Sequence, residues 1–168
     1  EFLTRDSGLT WYAWQPVEYD VKSYSIWAWG TNDNGALGQN STSGLDKASS
    51  PIQIGSNQNW LNSHSNGAGA FAVTADGKLF AWGRNQEGQL GQNNKTDYSS
   101  PKQISGTNWS ANFSATMQSV VAVKNDGTLW VWGDNTKGSL GLNQAGWPTR
   151  THQSSPTQVP GTTWSTRE

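Results

Sequence analysis

The stretch LFAWGRNQEGQLGQN, from Leu79 to Asn93, places an aromatic pair beside a glycine and then spaces two more glycines through a polar loop. It is the second of three copies. The first copy reads IWAWGTNDNGALGQN from Ile26 to Asn40, and the third reads LWVWGDNTKGSLGLN from Leu129 to Asn143. A fixed internal period decides the architecture of a chain before any site can be discussed. The sequence is therefore that of a repeat protein.

Further shared segments define the length of the repeat. SSPIQI, SSPKQI and SSPTQV follow the three copies at residues 49–54, 99–104 and 154–159, and each is followed by a lone tryptophan. The glycine after the aromatic pair recurs at Gly30, Gly83 and Gly133, which gives steps of 53 and 50 residues. We predict three tandem repeats at about residues 25–78, 79–128 and 129–168, preceded by an atypical N-terminal extension or cap at residues 1–24.

The hydrophobic pattern within each repeat is typical of short strands. Phe80 and Trp82 point to one face of a strand and Leu79 and Ala81 to the other, so both faces are apolar, as in a strand inside a layered structure. The same pattern predicts buried strands around Trp27 and Trp29, and around Trp130 and Trp132.

The turn signals complete the unit. Asp76-Gly77 and Asp126-Gly127 predict tight hairpins of a primed turn type, with positive φ at both central residues. Each Ser-Ser-Pro suits the start of an edge strand, because proline donates no ladder hydrogen bond. Four short strands in about fifty residues are typical of a propeller blade. The predicted fold is all-β, with about three propeller-type blades of short antiparallel strands in a partial or open propeller.

The joint pattern resembles that of the regulator of chromosome condensation repeat. Its parts are Asp-Gly-x-Leu-x-x-Trp-Gly, then Asn-x-x-Gly-x-Leu-Gly, then Ser-Ser-Pro-x-Gln, from Ile26 to Trp164. The resemblance implies β-propeller blades, and family members that close a ring on their own usually have seven. Two departures occur: Gly69 and Ser119 stand where the family often has histidine, and VEYDVKSYSIWAWG lacks the first Asp-Gly hairpin. We expect a fragment or a component of a larger assembly.

Composition narrows the function classes. The 168 residues include eleven tryptophans, nineteen glycines and no cysteine, with 14% charged residues and a net charge of −1. The absence of cysteine excludes disulfides and thiolate metal sites. The near-neutral charge argues against nucleic acid as the main partner, and no apolar run is long enough for a membrane span.

Reactive residues do not converge in the sequence. His64, in a polar loop, and His152, near the third Ser-Ser-Pro, have no histidine at the matching positions of the other repeats. Asp76 and Asp126 are accounted for by their turns, and TNDNGALG around Asp33 lacks the alternating acidic ligands of a calcium loop. We predict no catalytic, cofactor-binding or metal-binding residues, no cofactor and no enzymatic activity.

Most tryptophans occupy recurring strand positions and are expected in the core. Trp11, Trp14 and Trp147 lie outside the repeat register, so they are the candidate contacts to a ligand or partner. Exposed aromatic rings stack well on sugars and also anchor protein interfaces. These three side chains are therefore the ones on which a surface-glycan site would depend.

Three function hypotheses follow. The first is a non-enzymatic structural or protein-interaction module that presents polar loops on a β-propeller scaffold and contacts other subunits of a homo- or hetero-oligomeric assembly. Its composition is similar to that of phage and viral structural proteins, which favours a virion or tail component and a virion or extracellular location. The second, implied by the family resemblance, is guanine-nucleotide exchange on a small GTPase or a chromatin-associated role. The third is a glycan-binding module.

Overall fold

A computed structural model describes residues 3–5, 11–13, 24–41, 47–55, 59–143, 152–161 and 164, with the backbone alone at 3–5 and 11–13. Twelve strands lie in these ranges: β1 Leu3–Arg5, β2 Trp11–Ala13, β3 Ile26–Thr31, β4 Lys47–Ile54, β5 Trp60–Ser65, β6 Gly69–Thr74, β7 Leu79–Gly83, β8 Tyr98–Gln103, β9 Trp109–Ala115, β10 Ser119–Lys124, β11 Leu129–Asp134 and β12 His152–Val159. The one helical turn among them is a 3₁₀ turn at Asp33–Gly35.

The strands form antiparallel sheets that match propeller blades. β5 to β8 make one four-stranded sheet in chain order, and β9 to β12 make a second. β3 and β4 make a two-stranded sheet that corresponds to the last two strands of such a blade, and β1 and β2 pair separately. This confirms the predicted all-β class and the partial propeller.

The third strand of each blade is buried on both faces only where a repeat precedes it. In β7, Leu79, Ala81 and Trp82 are buried, as their two-faced pattern predicts. In β3 the prediction was wrong: Trp27 is 51% exposed and Trp29 65% exposed. The physical reason is that no earlier repeat covers this face within the described residues.

A β-bulge explains the glycine that follows each aromatic pair. The register between the third and fourth strands shifts next to this glycine in all three repeats. At Gly83 the bulge sets φ to +99°, and a Cβ added there would lie 2.5 Å from the Cα of Gly69 on the neighbouring strand. Both the positive φ and the close approach favour glycine.

The Asp-Gly hairpins differ from the predicted primed turns. The strands end at Thr74 and resume at Leu79, and the Gly77 amide donates to the Thr74 carbonyl at 2.9 Å. Gly77 has φ of +75°, whereas Asp76 is not among the residues with positive φ. The loop is therefore a type I turn followed by a glycine bulge. The predicted turn was wrong because the loop is longer than the Asp-Gly pair itself.

The core lies between successive sheets. One cluster packs Ile54 of the first repeat against Trp60, Ala72 and Trp82 of the next sheet. A larger cluster joins the opposite face of that sheet to the sheet formed by β9 to β12; its buried members are Phe71, Val73, Leu79, Ala81, Leu90, Ile104, Trp109, Ala115, Val120, Ala122 and Trp132. The sheet of β5 to β8 thus uses one face for the preceding repeat and the other face for the following one.

The core position of Trp82 leads to a stability prediction. Trp82→Ala should lower the free energy of unfolding by about 3–5 kcal/mol, because the indole is 1% exposed and its removal leaves a large cavity. Trp29→Ala changes the same repeat position where the ring is exposed, and should cost less than about 1 kcal/mol. Urea denaturation of dilute protein measures both values, and equal losses would contradict the assignment of faces.

The Asp-Gly turns lead to a pH prediction. Hydrogen bonds from Lys78 and then Thr74 lower the pKa of Asp76, and hydrogen bonding to Thr128 lowers the pKa of Asp126. Because the pKa is lower in the folded state, both carboxylates stabilise the fold above the ordinary value of 3.8, and this contribution is lost as the pH falls through the lowered values.

The double variant Asp76→Asn, Asp126→Asn should therefore lose less stability than the parent between pH 3.8 and the acid limit of folding. Urea midpoints measured over this acid range at constant ionic strength provide the comparison. Parallel curves for the two proteins would show that these carboxylates do not contribute.

Candidate protein-interaction surface

Successive repeats are joined by a hydrogen bond from a buried indole. Trp82 Nε1 donates to the carbonyl of Ala36 at 3.0 Å, and Trp132 Nε1 donates to the carbonyl of Gln89 at 2.8 Å. In each case the acceptor belongs to the glycine-rich loop of the preceding repeat. A buried indole N–H normally finds such a partner, so each loop acts as the cover of the next tryptophan.

A buried asparagine shapes each covering loop. Its side-chain carbonyl accepts the backbone N–H of the leucine five residues later, which turns that leucine inward. The pairs are Asn32 with Leu37 at 3.0 Å, Asn85 with Leu90 at 2.9 Å and Asn135 with Leu140 at 3.1 Å. Sequence reasoning assigned no role to these asparagines, although each stands three residues after its Trp-Gly tryptophan in every repeat. That constant spacing was the available signal.

The loops also sit on the Ser-Ser-Pro strand of the next repeat. A Cβ added to Gly35 would lie 2.5 Å from the Cα of Ser99, and one added to Gly88 would lie 2.7 Å from the Cα of Ser154. Only glycine permits this approach. The same serine carbonyls accept backbone N–H groups from the loops, at 2.6 Å from Asn40 to Ser99 and at 2.7 Å from Asn93 to Ser154.

The first repeat presents the uncovered version of this junction. We call Trp27, Trp29 and Ser49 the amino-terminal face. Both indoles project from β3 on the side opposite Ile26 and Ala28, which pack towards the second sheet. No loop carbonyl among the described residues covers Trp29, in contrast to Trp82 and Trp132. The face is therefore an apolar surface shaped like the buried side of a repeat junction.

A cleft of about 410 Å³ opens beside this face, between the first repeat and the second sheet. Its lining includes one titratable side chain from the described residues, that of His64. A ring nitrogen of His64 lies 2.9 Å from the carbonyl of Ala115 in the following repeat. The prediction that His64 lies in a polar loop was wrong, because its side chain points from β5 into a contact between sheets.

His152 occupies a second junction. It begins β12, and its Nδ1 lies 3.4 Å from a carboxylate oxygen of Glu87 and 3.4 Å from one of Asp134. Glu87 belongs to the loop of the second repeat, whereas Asp134 and His152 belong to the third. This half-buried group links two repeats.

The candidate tryptophans from the sequence are placed only in part. Trp14 and Trp147 lie outside the described residues, and Trp11 lies in β2, of whose side chains nothing is described. The exposed tryptophans that the structure does describe are Trp27, Trp29 and Trp164. All three occupy repeat positions. The exposure of these rings therefore depends on whether a neighbouring repeat covers them, and not on whether they fall outside the repeat pattern.

The described ranges contain no group of three or more histidine, aspartate or glutamate side chains placed to hold a metal ion. No described helix is long and apolar enough to cross a bilayer.

The family model for the regulator of chromosome condensation (RCC1) repeat matches residues 76–123 and 126–165, more than half of the chain. The chain belongs to the RCC1 repeat family. This confirms the resemblance read from the three in-register motifs. The matched segments contain β7 to β12 apart from Lys124, and they leave out β5 and β6.

Curated relatives match this chain over part of its length and a smaller part of their own. The mouse protein named probable E3 ubiquitin-protein ligase HERC4 is 38% identical over 80 residues, which are 45% of this chain and 7% of the relative. The RCC2 homolog of Xenopus laevis is 33% identical over 72 residues, covering 43% of this chain and 14% of that protein. The chain therefore spans a small fraction of these relatives.

Solved structures show the same RCC1 fold. Human WBSCR16 aligns with a TM-score of 0.67 at 19% identity, covering 82% of this chain and 35% of that one. Prp20p of Saccharomyces cerevisiae aligns with a TM-score of 0.69 at 18% identity, covering 82% and 34%. The identities are low, so these likenesses show the propeller fold alone.

The covering loops lead to a paired prediction at one RCC1 motif position. A Cβ on Gly91 would lie 3.0 Å from the Trp132 indole nitrogen, whereas a Cβ on Gly141 meets nothing within 4 Å; their φ angles are +67° and +64°. Asparagine tolerates such angles. Gly91→Asn should cost about 1–3 kcal/mol of unfolding free energy by overpacking, and Gly141→Asn less than about 0.5 kcal/mol. Denaturation at low protein concentration measures both values. Similar losses of unfolding free energy in the two variants would show that the positive φ, and not the contact with Trp132, determines the cost.

Proposed function

We propose that this chain is a non-enzymatic protein-interaction module, a structural component that binds protein subunits through the uncovered face of its first repeat. The observation that carries the proposal is the contrast at one repeat position. Trp82 and Trp132 are 1% and 0% exposed under a covering loop, whereas Trp29 is 65% exposed. The surface around Trp29 has the residues of a buried contact between repeats, which favours a protein as the partner.

The chemistry of this face suits a protein–protein contact. Two indoles stand on adjacent same-side positions of one strand, and Trp27 is also half exposed. Tryptophan is enriched at the energetic centres of protein interfaces, because a large ring gains contact area with few side-chain torsions to fix. The serine carbonyl and indole N–H groups beside the rings add directional polar contacts.

The solved relatives support protein partners in general terms. The Prp20p structure is described together with binding to Gsp1p and histones, and a second yeast RCC1 structure is described as bound to Kap60. Those partners belong to the relatives. Guanine-nucleotide exchange or a chromatin-associated role is the alternative for this chain, which covers about a third of the Prp20p chain.

The absence of enzymatic activity is part of the proposal. The two histidines with described contacts each link neighbouring sheets, and the Asp76 and Asp126 carboxylates hold turns. The glycan-binding alternative rests on Trp11, Trp14 and Trp147 and stays a prediction from the sequence. The virion or tail setting rests on composition and also stays a prediction.

Oxidative footprinting tests the proposed function in the natural setting. Hydroxyl radicals should modify Trp27 and Trp29 in the purified, dilute chain and much less in the assembly isolated from its source. Trp82 is the internal control, because its side chain is only 1% exposed and should be protected in both samples. Equal modification of Trp27 and Trp29 in the two samples would contradict a partner on this face.

A further inference from the structure

We propose that the partner on the amino-terminal face is a second copy of this chain, docked head to tail in the geometry that joins consecutive repeats. The inference rests on the proposed function and names the occupant of the same face. The docking surface of the second copy is its carboxy-terminal face, which we define by the half-buried Leu129 and Val159, the exposed Trp164, and the largely buried Val131 and Leu140, which are 5% and 3% exposed. Four steps support the match.

The first step is the indole hydrogen bond. The acceptor is the residue before Leu-Gly in each loop: Ala36, then Gln89, then Ser139. The first two carbonyls receive Trp82 and Trp132. Within the described residues no indole reaches the Ser139 carbonyl, and no carbonyl receives the Trp29 indole. The Ser139 carbonyl of one copy could therefore accept the indole N–H of Trp29 in the next copy.

The second step is the glycine seat beneath the indole. Gly38 and Gly91 approach the nitrogens of Trp82 and Trp132 so closely that an added Cβ would lie 3.0 Å away. Gly141 holds the same position in the third repeat, with φ of +64°, and a Cβ there would meet nothing within 4 Å. Gly141 therefore has the backbone conformation of Gly38 and Gly91, with space beside it for an indole ring.

The third step is the backbone contact to the Ser-Ser-Pro strand. Asn40 donates to the Ser99 carbonyl and Asn93 to the Ser154 carbonyl, at 2.6 and 2.7 Å. Among the described residues, the counterparts that lack this contact are Asn143 in the third repeat and Ser49 in the first. Docking of two copies would bring these together as a third instance of the same contact.

The fourth step is the apolar packing. At the first junction, Ile26, Ala28 and Ile54 pack against the face that carries Trp82. The matching side chains of the third repeat are Leu129, Val131 and Val159, which together with Trp164 and Leu140 line an open cleft.

The place of Trp164 in this cleft follows from two filled junctions. Trp60 lies 6.3 Å from Trp82, and Trp109 lies 5.8 Å from Trp132, measured between ring centroids. Trp164 follows the third Ser-Ser-Pro segment as Trp60 and Trp109 follow the first two. Docking would therefore set Trp164 of one copy beside Trp29 of the next.

The symmetry of this contact predicts its products. The two faces differ, so the interface is heterologous, and each docked pair keeps one open face of each kind. Association should therefore continue beyond the dimer into longer arrays or a closed ring. A self-complementary dimer would instead stop at two copies.

Complementation between variants of the full chain tests the proposal. Trp29→Ala removes the amino-terminal half of the contact, and Gly141→Asn fills the indole seat of the carboxy-terminal half. Each variant alone should associate at least about tenfold more weakly than the parent, as for loss of an interface anchor. An equal mixture should form a dimer and stop there, because one intact face of each kind is present. Sedimentation velocity over a range of concentrations measures the masses.

Engineered disulfides fix the register, since the chain has no cysteine of its own. The pair Ser49→Cys, Asn143→Cys should give intermolecular ladders on non-reducing gels. The matched control Asn93→Cys, Ser154→Cys places the same pair at a filled junction and should close within one chain. Closure of the control shows that the geometry permits the bond.

The outcomes separate this inference from the proposed function. A parent chain that stays monomeric at all concentrations, with only the control disulfide formed, overturns the second copy as partner. So does an association that Trp29→Ala and Gly141→Asn both leave unchanged. If Trp27 and Trp29 are nevertheless protected in the natural assembly, another protein occupies the face and the proposed function stands.

Discussion

A hydrogen-bond acceptor stabilises a buried indole N–H, and for Trp82 and Trp132 that acceptor belongs to the neighbouring repeat, whereas the buried indole nitrogens of Trp60 and Trp109 have none among the described residues. Trp82 and Trp132 each donate to a carbonyl in the loop that precedes their blade. An unpaired buried donor costs free energy on the scale of a whole hydrogen bond. A blade in this array is therefore incomplete by itself, and the junction between blades is the unit that the sequence conserves from copy to copy.

The glycine-rich loops of the first two repeats are held against the neighbouring repeat by several described contacts. Asn85 turns Leu90 inward, Gly88 lies against Ser154, and Gly91 seats the ring of Trp132. A loop with this many fixed contacts has little freedom to vary. The repeat loops are thus joints of the scaffold, and within the described residues the proposed docking surfaces are the faces of the first and third repeats that no other repeat covers.

Much of the fold follows from the sequence, because strand periodicity and turn residues are local signals that recur three times in register. The exposure of Trp27 and Trp29 does not follow, since a residue's burial depends on the neighbour that covers it and these rings share their local pattern with Trp82. The contact of His64 with the next sheet was missed for the same reason. Asn32, Asn85 and Asn135 were visible as a constant spacing, but their role needed the three-dimensional loop.

The order of donor and acceptor along the chain has a consequence for synthesis. The carbonyl of Ala36 precedes the indole of Trp82 by 46 residues, and that of Gln89 precedes Trp132 by 43. Each acceptor loop leaves the ribosome before the tryptophan that needs it. The acceptor of each indole is therefore already translated when that indole emerges, whereas the backbone contact of the same loop to the Ser-Ser-Pro strand of the next repeat waits for a segment translated later.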